Sequence, residues 1–102
     1  MGFKMISIKI YKQGNEILIG ACDEELVGRK FEEGKLQIDV SKAFYGGRII
    51  SIETLIQYLK EATIANLVGK NAVECAIKIG LIDPECVLKI KGVPHAQMVR
   101  IR

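Results

Sequence analysis

Ile6, Ile8 and Ile10 alternate with Ser7 and Lys9, the period-two pattern of a strand with one buried face. "QGNE" at 13–16 supplies a turn, and "ILIGAC" at 17–22 is apolar on both faces, as in a central strand. These two segments predict a hairpin. Leu36, Ile38 and Val40 alternate with Lys35, Gln37 and Asp39, giving a third strand after a turn at "FEEG". "SKAFYGG" at 41–47 interrupts the alternation, and its paired glycines favour backbone angles that other residues resist.

The period then changes. Ile52, Leu55, Ile56 and Leu59 follow helical spacing behind Ser51, which predicts a capped amphipathic helix with Glu53 in its first turn. "ATIANLVG" at 62–69 suits either the end of that helix or a short strand, because Thr63 and Ile64 are β-branched. Asn71 with Glu74 three residues later resembles a capping box, Val73, Ala76 and Ile77 form a stripe, and Gly80 is a stop signal. After a turn at Pro84, "CVLKIK" and "AQMVRIR" flank "GVPH", predicting a last hairpin. Helices on one face of a mostly antiparallel sheet follow: an α+β two-layer sandwich in one domain, 1–102.

Composition narrows the class. At 102 residues, 49% hydrophobic and 26% charged, the chain is long enough for one core and unlike a disordered polymer. It is short for a deeply enclosed site, which directs attention to the surface. Three cysteines, Cys22, Cys75 and Cys86, form no CxxC pair, arguing against a disulfide framework or closed zinc site. No cofactor or metal is implied. The start "MGFKMISIKI" lacks a signal-peptide pattern, and Ile6 stands where myristoylation expects Ser or Thr. With no membrane-spanning run, the expected location is the cytoplasm. Nothing in the pattern indicates a homo-oligomer.

The net charge of +3 is mild, but it is unevenly spread. Residues 22–33 carry five acids and two bases, whereas 86–102 carry Lys89, Lys91, Arg100 and Arg102 and no acid. If the apolar faces of "VLKIK" and "MVRIR" coincide, those four cations gather on one side of a ribbon. Such a patch suits RNA, a ribonucleoprotein or a ribosomal surface such as a translation component. A charged face guarding an edge strand gives the same pattern. In "FYGGR", Tyr45 is placed to stack on a base and Arg48 to meet phosphate, while core packing explains the aromatics equally well.

Three further constellations carry chemistry. His95, the one histidine, sits behind Pro94 in a stiff turn and is suited to proton transfer or to fastening the hairpin. Cys22 and Asp23 lie where a strand meets a helical turn "DEEL", with Asp23 as its cap and Cys22 either a nucleophile or a buried thiol. Together, Cys22, His95 and Asp23 make the sharpest enzyme or small-ligand hypothesis, provided that the fold assembles them. Gly69, Lys70 and Asn71 precede a helix and form a candidate anion site, with capping by Asn71 as the alternative. A protein–protein adaptor or an obligate homodimer would instead show an uncovered apolar helix face.

"ACDEELVGRKF", "FYGG", "NLVG", "GLID" and "GVPHAQ" occur in this order along 21–97. The combination resembles the small, mainly archaeal family catalogued as domain of unknown function 424. That resemblance implies a cytoplasmic, single-domain α/β protein. It implies no activity, and no residue is carried over as catalytic.

Overall fold

The computed structural model describes residues 4–101; residues 1–3, with the Met-Gly start, and Arg102 lie outside them. Strands β1 (Met5–Gln13) and β2 (Glu16–Asp23) form the expected hairpin around Gly14 and Asn15. β3 (Lys30–Glu33) and β4 (Leu36–Asp39) form a second hairpin, apart from the main sheet. The short helix α1 (Lys42–Tyr45) leads to β5 (Arg48–Ser51), helix α2 (Ile52–Glu61) and β6 (Ile64–Val68). Helix α3 (Lys70–Lys78), β7 (Leu88–Ile90) and β8 (Val93–Val99) complete the order. The main sheet runs β5-β1-β2-β6-β8-β7, antiparallel except where β6 lies parallel to β2. This is an α+β fold with both longer helices on one face. Among the described residues no helix is long and apolar enough to cross a membrane.

Alternation along each strand sorts the two faces of the sheet. Ile6, Ile8, Ile19, Ala21, Ala65, Leu67, Ala96 and Met98 pack against Leu55 and Leu59 of α2 and Ala72, Val73 and Ala76 of α3. The small alanines on the central strands let the helices approach closely. On the opposite face, Cys22, Val68 and Ile90 meet Ile38, Val40, Leu26 and Tyr45, so the β3–β4 hairpin and α1 cover only one end of it. α1 is seated there because Gly20 has no side chain. A Cβ at that position would lie 2.7 Å from the Phe44 ring and 2.9 Å from its carbonyl oxygen.

Several local expectations change. Residues 62–69 hold a central strand, since β6 pairs on both sides and buries Ala65 and Leu67. "FEEG" belongs mainly to β3, and the turn falls at Gly34–Lys35. The last hairpin turns at Lys91–Gly92, whose φ values of 53° and 77° mark a type I′ loop; Val93, Pro94 and His95 are strand residues. In that register Pro94 faces Lys89 at a non-hydrogen-bonded position, so its missing N–H costs no bond to β7. Its carbonyl accepts from Gly69 N–H at 2.8 Å.

The start of α3 differs most. Ser51 caps α2 as expected, accepting from Thr54 N–H. Asn71 does not cap α3, which begins after Gly69 with no local side-chain cap. The Asp23 carboxylate reaches across instead and accepts from Asn71 N–H at 3.0 Å and Ala72 N–H at 2.9 Å. Gly69, at φ 107°, makes room: a Cβ there would fall 2.5 Å from the Asp23 carboxyl carbon. Nor does Asp23 cap its own turn, Glu24–Leu26, where no side-chain cap bond forms.

Candidate functional site

The helix-free face carries ordered rows of side chains, because paired residues on neighbouring strands point the same way. One row is Ser7, Cys22, Val68, His95 and Leu88; the next is Lys9, Gly20, Asn66 and Gln97. Beyond them Tyr11, Leu18, Ile64 and Val99 form an apolar row. The β3–β4 hairpin and α1 overhang the first two rows and leave a groove of about 340 Å3. It is lined by Gln37, Ile38, Asp39, Phe44, Tyr45, Asn66 and His95.

Its walls differ in chemistry. Phe44 packs edge-on to Tyr45 and stacks on Tyr11, with ring centroids 5.4 Å apart in the latter pair. The Tyr11 hydroxyl donates to the Ala43 and Phe44 carbonyls, and the Lys9 ammonium donates to Ala43, so α1 is tied to β1. Asn66 and His95 form the floor. Among the described residues, neither side chain has a protein hydrogen-bond partner, and both are half-buried. Burial holds the His95 imidazole below its ordinary pKa of 6.5, so the neutral ring, with one donor and one acceptor, is favoured.

The structure does not assemble the proposed nucleophilic constellation. Cys22 and His95 share a face, but Val68 stands between them on the intervening strand. Two strand spacings amount to about 9.5 Å, well beyond hydrogen-bond reach. Asp23 points to the helix face, its carboxylate engaged by α3. Cys22 is 0% exposed. Its thiol is pushed up to about 12 by burial, with the charges of Asp23 and Glu25 adding to the effect. Burial also raises the Asp23 pKa, against the pull of the two amide bonds, and Glu25 and Glu74 add to the rise.

The anion candidate at Gly69, Lys70 and Asn71 meets the same carboxylate. The Asn71 amide an anion would use is already paired with Asp23, as is that of Ala72, which leaves Lys70 as an exposed cation beside an occupied helix end. Lys70 and Lys89 instead line a separate groove between α3 and β7 with Val73, Glu74, Ile77 and Val87.

The four-cation ribbon is not formed either. Lys89 and Arg100 do alternate away from the apolar face, but that places them on the helix side of the sheet. β7 is only three residues long, so Lys89 lies opposite Pro94, and Arg100 is six residues farther along, about 20 Å. Arg100 donates to the Lys60 carbonyl at 2.9 Å. Lys91 occupies the turn, where its N–H donates to the Glu33 carboxylate. Arg102 lies outside the described residues. Tyr45, expected to stack, is 7% exposed, and burial pushes its hydroxyl up to about 12. Arg48 lies over the Tyr58 ring and bonds its hydroxyl.

Sequence reading missed Asn66, Gln37, Asp39 and Lys9 as site residues. Asn66 carried a signal: it interrupts the apolar run "TIANLV" and breaks the strand's hydrophobicity in mid-course. The other three look like ordinary wet-face residues until the hairpin folds over the sheet.

The model of the family described as "Protein of unknown function (DUF424)" matches residues 11–101. The chain belongs to this family. No curated protein matches it. Among solved structures, the crystal structure of an uncharacterized conserved protein from Methanopyrus kandleri is similar at 22% identity. The alignment covers 96% of this chain and 95% of that one, with a TM-score of 0.80. The DUF424 fold is thus shared with an archaeal protein, and the likeness speaks to the fold alone.

Proposed function

We propose that this DUF424 chain is a non-catalytic binding module for RNA, as a free strand or within a ribonucleoprotein, and that the ligand lies in the helix-free groove. The observation carrying this reading is the pair Asn66 and His95, half-buried without protein partners beneath the wall made by Phe44. An amide and a neutral imidazole can pair with the edge of an unpaired base, and an aromatic wall suits its faces. Lys9 and Lys42 flank Phe44 through α1 and supply charge for phosphate. The basic C-terminal segment contributes to the field around the molecule, with Lys89, Lys91 and Arg100 dispersed over it.

Fluorescence anisotropy with labelled single-stranded RNA tests this. Two phosphate contacts predict a modest slope of log affinity against log salt, about −1.4. Asn66→Ala and His95→Ala should weaken binding about tenfold each, whereas replacing Lys89, Lys91 and Arg100 together with alanine should cost less. No binding at low salt would overturn the proposal. Binding abolished by the triple variant but untouched by the groove variants would return the site to the basic hairpin.

A further inference from the structure

β4 contributes Gln37, Ile38 and Asp39 to the wall of the groove. Gly34 and Lys35 make a two-residue loop, with Gly34 at φ 61°, so Glu33 and Leu36 form the hydrogen-bonded pair that flanks it. Bonded and non-bonded pairs then alternate along an antiparallel ladder. Phe31 with Ile38 is bonded; Glu32 with Gln37 and Lys30 with Asp39 are not. The register continues past the strand, since Val40 N–H donates to the Arg29 carbonyl at 2.9 Å.

Gln37 and Asp39 therefore turn their N–H and C=O groups away from β3. Among the described residues β4 has no strand partner on its other side, and its residues Gln37, Ile38 and Asp39 line the groove. Ile38 and Val40 are buried, so alternation sends the Gln37 and Asp39 side chains outward. Across from this edge stand Asn66 and His95.

We infer that the free edge of β4 reads an unpaired RNA base through the main chain of Gln37 and Asp39, while Asn66 and His95 take the remaining polar atoms. This rests on the proposed RNA-binding function and names its substrate class: single strands with exposed base edges, not duplex. A strand edge offers N–H beside C=O, and every unpaired base carries a donor beside an acceptor. In a duplex those base edges are already paired. An extended peptide could use the same edge, but strand addition draws its specificity from pockets for alternate side chains. The floor here is an amide and an imidazole, which suit a base better.

The test exploits the register. Proline at position 37 or 39 removes only an outward N–H, and an edge strand tolerates it at such a position. Gln37→Pro and Asp39→Pro should lower affinity for single-stranded RNA octamers about tenfold, and Gln37→Ala and Asp39→Ala less than about threefold. A duplex of the same sequence should bind far more weakly. In the unmodified protein, RNA should slow hydrogen exchange at the Gln37 and Asp39 amides, a readout independent of the proline variants' folding.

RNA binding with unchanged exchange at both amides, or equal affinity for duplex, would overturn this inference and leave the RNA reading standing. Absence of RNA binding would overturn both. Proline-sensitive capture of extended peptides without RNA binding would assign the edge to a protein partner and also overturn both.

Discussion

Asp23 joins two parts of the chain that are distant in sequence, and removing its carboxylate should be costly. Its two bonds reach 48 and 49 residues along the chain and satisfy two of the amides at the start of α3. Loss of an N-cap costs about 1–2 kcal/mol, and hydrogen bonds to a charged group contribute about 1.5–3 kcal/mol each. Relief of the buried charge offsets part of this, because Asp23 is only 4% exposed. A net loss of about 2–3 kcal/mol is expected for Asp23→Ala, with a smaller loss for Asp23→Asn, which keeps one acceptor. With a urea m-value of about 1–1.5 kcal/mol/M, the unfolding midpoint should fall by about 2 M. Circular dichroism at 222 nm follows the transition, and hydrogen exchange at the Asn71 and Ala72 amides should accelerate. Asn71→Ala is the control: its side chain is not the cap, so it should stay within about 0.5 kcal/mol of the parent. If Asn71→Ala proved the more damaging of the two, the long-range cap would be refuted.

Thiol reactivity and pH give further checks. An aromatic disulfide reagent should modify one thiol per native chain, the exposed Cys86, while Cys22 and Cys75 react only on unfolding. Rapid native modification of Cys22 would contradict a thiol held near 12. The His95 pKa lies below its unfolded value of 6.5, so the unfolded chain takes up the proton first. Its contribution to stability is therefore complete above 6.5 and is lost as pH falls towards the folded pKa. His95→Gln should flatten that part of the urea-midpoint profile, and an identical profile for both proteins would remove His95 from the account. Asp39 and Tyr45 share its groove and remain present in both proteins.

Much of the fold was legible because its local rules agree. The Ile6–Ile10 alternation, the Ser51 cap with its Leu55/Leu59 stripe, and the Gly14–Asn15 turn each depend on neighbours within a few residues. Short segments were harder. β3 has one half-buried residue in four, and α1 is a single turn, so neither shows a period long enough to read. The last hairpin was misplaced because Pro94 suggested a turn, while Lys91 had no such signature. Lysine at positive φ is uncommon, and it is stabilised here by its position between Ile90 and Val93 and by the Glu33 carboxylate.

The candidate site was much less legible. The sequence drew attention to His95 as the one imidazole, in what looked like a stiff turn; its place on β8 and its companions depend on pairings between distant segments. By itself the sequence determined which residues alternate along the first strands and where two helices lie. Only the tertiary structure decided that β6 enters the sheet beside β2, which sets Val68 between Cys22 and His95. It also decided that Asp23 serves a helix far along the chain and that β4, which pairs only with β3 among the described residues, lines the same groove as the imidazole. Local pattern is a property of neighbouring residues, whereas faces, registers and free edges exist only once distant strands have paired.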